Sequence, residues 1–132
     1  MKSLIPVVVI AGLVFYSSAH AYKVGEKMPI AAAEKRWGSQ PFLAERFRTA
    51  GPGERARMVV DLVRKRSFVG KSPSEVFESL GRPDGHFFSD LVPAYLLNEG
   101  WKTTEDTWQL VFLLGAKGET VSEAIIHKNC CP

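Results

Sequence analysis

Cysteine is nearly absent from this chain of 132 residues: there are two, Cys130 and Cys131, side by side in the last three positions. No disulfide can therefore staple a core, and no spaced set of thiolates offers a structural zinc site. Histidine is as scarce, with three in all and one of them, His20, close to the N-terminus. Excess charge of one sign is lacking too. With 17 Lys and Arg against 14 Asp and Glu the formal charge is only +3, too little to argue for nucleic acid. Nor is there a long apolar run. The longest, residues 4–16, contains Pro6 and Gly12 and falls short of the roughly 18 residues a spanning helix needs.

What that run does fit is an export signal. Lys2 supplies a positive start and Ala19-His20-Ala21 a small-x-small cleavage site, so residues 1–21 read as a signal peptide cut after Ala21. No cysteine stands at the cut to carry a lipid. Removing 21 of the 132 residues leaves 111, enough for one domain with one modest core, in a periplasmic or extracellular location. Loss of Lys2 lowers the charge to +2. Basic side chains do cluster at Arg46, Arg48, Arg55, Arg57, Arg64, Lys65, Arg66 and Lys71. Such a run reads as a solvated helix face, with peripheral contact to an anionic membrane surface as the alternative.

Residues 70–85 specify one short helix with both ends written out. Ser72 caps it, Pro73 suits the first helical position, and Glu75 completes a capping box. Val76, Phe77 and Leu80 form its apolar face, Gly81 provides a positive-φ exit, and Pro83 prevents continuation. A preceding amphipathic helix runs from Glu54 to near Ser67, with Met58, Val59, Leu62 and Val63 on one side. Residues 22–53 show no clean period and read as an extended or partly helical arm, with a short helix across residues 31–37.

Beyond Pro83 the pattern changes to strands: residues 94–98, 107–114 and 120–127, the last two joined by the turn at 115–119 into an antiparallel hairpin. Residues 84–92, with two aromatics, form a loop expected to tuck under the sheet. In the second strand Trp108, Leu110, Phe112 and Leu114 point one way and Gln109, Val111 and Leu113 the other. Both faces are thus largely apolar. One must carry the helices; the other is expected to be covered by the arm, by a partner, or left as an exposed patch. The fold class is α+β, two helices packed on a three-stranded antiparallel sheet in the order ααβββ. The arm occupies residues 22–53, the domain 54–127 and a tail 128–132.

The run Gly70-Lys71-Ser72, followed by Glu75-Val76 and Leu80-Gly81-Arg82-Pro83, and then a meander carrying Tyr95, Trp108 and Gly118, resembles the small periplasmic domains of the SmpA/BamE type. The resemblance covers residues 55–126. It implies the two-helix, three-strand fold and a scaffolding role in outer-membrane protein assembly; this chain departs from it in lacking the lipidated cysteine. The layout is also similar to secreted β-lactamase-inhibitor domains, which present a sheet face to an enzyme.

Candidate chemistry is thin. Gly70-Lys71-Ser72 lacks the upstream glycine and the preceding strand of a phosphate-binding loop. His86, near Asp84 and Asp90, lacks further ligands for a metal, and no nucleophile elbow is present. Cys130 and Cys131 are a possible disulfide, strained if they bond to each other; pairing between two chains into a disulfide-linked dimer and a metal clamp with His127 are the alternatives. The sequence thus points to an exported, non-enzymatic interaction domain without a cofactor, with a protein partner. Its expected contact residues are Tyr95, Trp101, Gln109, Val111 and Leu113, on the less committed sheet face and its rim. An inhibitor of a secreted hydrolase using the same face is the second reading, and a small metal-dependent enzyme centred on His86 the third.

Overall fold

The computed structural model describes residues 27–129, so the expected signal peptide, Cys130 and Cys131 lie outside the described residues. Four helices precede the sheet: α1 (Ile30–Trp37), α2 (Ala44–Thr49), α3 (Pro52–Arg64) and α4 (Pro73–Leu80). They are followed by β1 (Ala94–Leu96), a single 3₁₀ turn at Gly100–Lys102, β2 (Trp108–Leu114) and β3 (Val121–Lys128). The strands form an antiparallel meander in the order β1-β2-β3. This is an α+β fold with the ααβββ succession at its centre and two short helices added in front. None of the helices among the described residues is long and apolar enough to cross a membrane.

The end signals of α4 act as written. The Ser72 hydroxyl accepts from the Glu75 amide at 3.2 Å, and the Glu75 carboxylate accepts from the Ser72 amide at 3.0 Å. That second bond holds the Glu75 carboxyl below its ordinary range. Gly81 ends the helix at φ +87° and ψ −173°, backbone that is close to exclusive to glycine, and a side chain there would press on the stem of Arg48. Gly70, Lys71 and Ser72 cradle nothing: their amides already donate to the Val121 and Phe68 carbonyls and to Glu75.

The helical side of the sheet holds the main core. Phe42, Phe47, Tyr95, Phe112 and Phe68 meet in a closed circuit of five edge-to-face contacts, with centroids 5.6 to 6.1 Å apart. Each such pair adds about 0.5–1.5 kcal/mol beyond the area it buries. Met58, Val59 and Leu62 of α3, Val76 and Leu80 of α4, and Leu110 and Ile126 of the sheet complete it. Phe42 and Phe47 come from the arm, so residues 28–50 belong to this core. α2 escapes the sequence pattern because six residues are too few to show a period, and it buries only Phe47.

This corrects one expectation. The arm packs on the helical side, and the second sheet face is closed instead by residues 84–92: Phe87 covers Ala94, Val111 and Ile125, with Val92 and Leu113 at its margin. Both sheet edges are engaged in part as well. On β1, Gly85 donates to the Ala94 carbonyl (2.9 Å) and Asp84 accepts from the Leu96 amide (3.0 Å). On β3, Met28 donates to Ile126 (2.8 Å), Lys27 pairs with His127, and Lys71 and Gly70 engage Val121. Edge groups covered in this way are poor templates for another strand.

Half of the basic cluster is neutralised within the chain. Arg46 pairs with Glu54, Arg55 with Asp84, Arg64 with Glu34 through two bonds, and Lys65 with Asp61. Arg48 donates to the last carbonyls of α4, where the helix dipole favours a cation.

Candidate functional site

The five residues expected on the less committed sheet face and its rim do not form one exposed surface. Tyr95 lies in the main core with no exposed surface, and its hydroxyl donates to the Gly81 carbonyl at 2.7 Å. Burial pushes its phenol pKa well above the ordinary value. Gln109 and Val111 do face the other way, but both are fully buried beneath residues 84–92. Leu113 is half-buried at the margin of that cluster. Trp101, in the 3₁₀ turn between β1 and β2, is 60 % exposed. The face assignment holds for Gln109, Val111 and Leu113 and is wrong for Tyr95, which sits opposite Leu110 and so shares that residue's face.

What the structure offers instead is the loop that closes the face. Gln109 is its anchor: the side-chain carbonyl accepts from the His86 amide (3.0 Å), and the side-chain amide donates to the His86 carbonyl (2.8 Å). A single glutamine thus imitates a strand residue, satisfying both backbone groups of His86 inside an apolar layer. Gly85 makes the approach possible, since a β-carbon there would overlap the Gln109 side chain and lie 3.1 Å from the Ala94 carbonyl oxygen. Arg55, buried over the faces of Phe47 and Tyr95, reaches Asp84 at 2.8 Å. Asp84 in turn ties the loop start to β1. Phe87 stands edge-on to His127 at 4.7 Å, and that imidazole donates from Nδ1 to the Lys128 carbonyl.

The braced loop turns other apolar groups outward. Leu91 is 72 % exposed and Phe88 49 %, and Phe88 holds a φ of +63°, a strained value for a bulky side chain. Phe77 of α4 is 36 % exposed. Between α4 and the loop runs a groove of about 650 Å³ lined by Phe77, Arg82, His86, Ser89, Asp90 and Val92, among others.

Its polar groups do not assemble a reaction centre. His86 Nδ1 and Asp90 stand 3.5 Å apart, beyond a firm hydrogen bond, and the Asp90 side chain is fully exposed. Ser89 Oγ accepts from the Leu91 amide and so caps the loop. Asp84, the other carboxylate near His86 in sequence, faces Arg55. Among the described residues no three His, Cys, Asp or Glu side chains converge as metal ligands. The arrangement is suited to recognition: a rigid rim, two outward apolar side chains and a concave strip beside them.

One signal in the sequence pointed here. Gln109 is the polar residue in a strand otherwise apolar on both faces, and a buried amide needs a partner; the adjoining Asp-Gly-His stretch supplies it. No family model matches the chain, and no curated protein or solved structure matches it.

Proposed function

We propose that this chain is an exported, non-enzymatic interaction domain, and that its contact surface is residues 86–92 with the neighbouring face of α4. The observation that carries the reading is the combination of bracing and strain in one loop. Gln109, Gly85 and the Arg55–Asp84 pair hold the backbone rigidly, yet what is held outward is Phe88 at positive φ, and Leu91. Outward apolar side chains on a pre-organised loop lose little freedom on binding. With both sheet faces covered, the loop carries the most exposed large apolar side chain among the described residues, Leu91, with Phe88 close to it in sequence. Export rests on residues 1–21, and the SmpA/BamE-like order of elements is in keeping with a scaffolding task in envelope protein assembly.

The same rigidity favours a second reading, inhibition of a secreted hydrolase by the loop. Stoichiometric loss of activity in a target enzyme would distinguish it.

The test is a photo-reactive phenylalanine at position 88 or 91, with position 117 in the β2–β3 turn as comparison. Discrete cross-linked species from 88 and 91, absent from 117, are expected in the compartment where the protein accumulates. Adducts from 117 alone, or from none of the three, would overturn the reading. Mass spectrometry of the same material should find Tyr22 as the first residue.

A further inference from the structure

The concave part of this surface narrows the chemistry of what it meets. Phe77 and Val92 give the groove apolar walls. Of the charged side chains that line it, Asp90 faces His86 across 3.5 Å, whereas Arg82 is exposed and makes no ion pair or hydrogen bond among the described residues. Asp84, which neighbours Arg82 in sequence, is engaged by Arg55. Glu78, one turn earlier on α4, is not part of the lining. Arg48, which is not part of the lining, lies against Gly81 and is occupied by the Ser79 and Glu78 carbonyl oxygens at 3.4–3.5 Å. A cleft with apolar walls at Phe77 and Val92 and an unmatched guanidinium at its rim complements a ligand that is apolar and anionic at adjacent points.

We propose that the groove binds an extended segment of a partner protein that presents an apolar side chain next to a carboxylate, the side chain entering between Phe77 and Val92 and the carboxylate pairing with Arg82. The inference rests on the reading of residues 86–92 as the contact surface and adds the partner's chemistry to it. A peptide is favoured over an anionic membrane because the groove is concave and carries Asp90 as well as Arg82 in its lining, a mixed-charge surface that a single carboxylate can meet at Arg82 and a uniformly negative bilayer does not match.

The experiment titrates the ¹⁵N-labelled full chain with two blocked peptides, acetyl-Gly-Phe-Glu-Gly-amide and acetyl-Gly-Phe-Lys-Gly-amide, and separately with phosphatidylglycerol vesicles. Amide shifts are expected at Phe77 and residues 82–92, with the glutamate peptide bound about fivefold more tightly, the scale of one partly exposed charge pair. Arg82→Glu should reverse the preference and leave the amide spectrum of the sheet unchanged, which also shows that the variant is folded. Equal binding of the two peptides, an unreversed preference in Arg82→Glu, shifts confined to other surfaces, or binding to vesicles but to neither peptide would overturn the proposal. If the peptides ignore the groove while cross-links from position 91 persist, this inference falls and the contact-surface reading stands; if both vanish, both fall.

Discussion

The two faces of the sheet are closed by different means. On one side four helices bury a circuit of five aromatic rings, with the packing of a continuous core. On the other a nine-residue loop covers a small cluster, and its position depends on a few discrete devices: one glutamine, one glycine and one ion pair. Broad apolar burial resists local opening, whereas a closure made of a few contacts can be altered piecewise. The side of the molecule that carries the outward Phe88 and Leu91 is therefore the side that can change without unfolding the rest.

The largest difference should come from matched truncations. Phe112→Ala removes a ring with no exposed surface from the five-membered circuit and should lower global stability by about 3–5 kcal/mol. Phe87→Ala should cost less, since the loop can detach before the main core opens. Chemical denaturation gives both values, and equal losses would mean that the two faces unfold as one unit.

Next in size are the anchors of the loop. Gln109→Leu leaves the His86 amide and carbonyl without partners and should cost about 1–3 kcal/mol. Gly85→Ala, through its overlap with Gln109, should act in the same range. Native-state hydrogen exchange should show lost protection at Gly85 and Leu96, whose amides bond across the β1 edge, while Leu110 and Phe112 keep theirs. Exchange that accelerates equally throughout the sheet would place the loop inside the main cooperative unit.

Smaller again is the α4 cap: Ser72→Ala should cost about 1 kcal/mol on the helical side and leave the loop's exchange unchanged. The ends of that helix were legible residue by residue, because capping and exit signals are local, but Phe77, expected on the apolar face with Val76 and Leu80, is exposed. The three strands, their hairpin, and the division of β2 into two faces were legible too. What covers the second face was legible only in part: residues 84–92 were expected to tuck under the sheet and do so through Phe87, but the arm was expected there as well. Hydrophobic alternation records that a surface is buried and is silent about which distant segment buries it, so the arm was expected on the face that residues 84–92 occupy. The candidate site suffered most: Tyr95, Gln109 and Val111 were chosen for the less committed sheet face, while Phe88 and Leu91 owe their exposure to a backbone fixed by Gln109, 18 or more positions away.

The smallest effects expected are those of pH, and they too separate the faces. Hydrogen bonds from Arg64, from the Phe42 amide and from the Ser72 amide hold the Glu34, Asp61 and Glu75 carboxyls below their ordinary values. Their contribution is present above the unfolded carboxylate range near pH 4, and is lost as pH falls through the lower folded values. All three lie on the helical side, so mild acid should lower the denaturation midpoint modestly while leaving loop exchange relative to the core unchanged. In alkali the sign reverses: Tyr95, held neutral by burial, favours the folded chain fully below about pH 10 and less above it, where the unfolded phenol ionises first.

The central claim is that the outward part of the loop serves contact and not folding, and Phe88→Asn tests it most directly. Asparagine tolerates positive φ, so the strained backbone is kept while the exposed ring is removed. Measured together on this variant, stability should fall by no more than about 1 kcal/mol, the worth of the lost edge-to-face contact with Phe87, while cross-linking from position 91 disappears. A loss of about 2 kcal/mol or more with cross-linking intact would show that Phe88 is part of the second core and that the contact surface lies elsewhere.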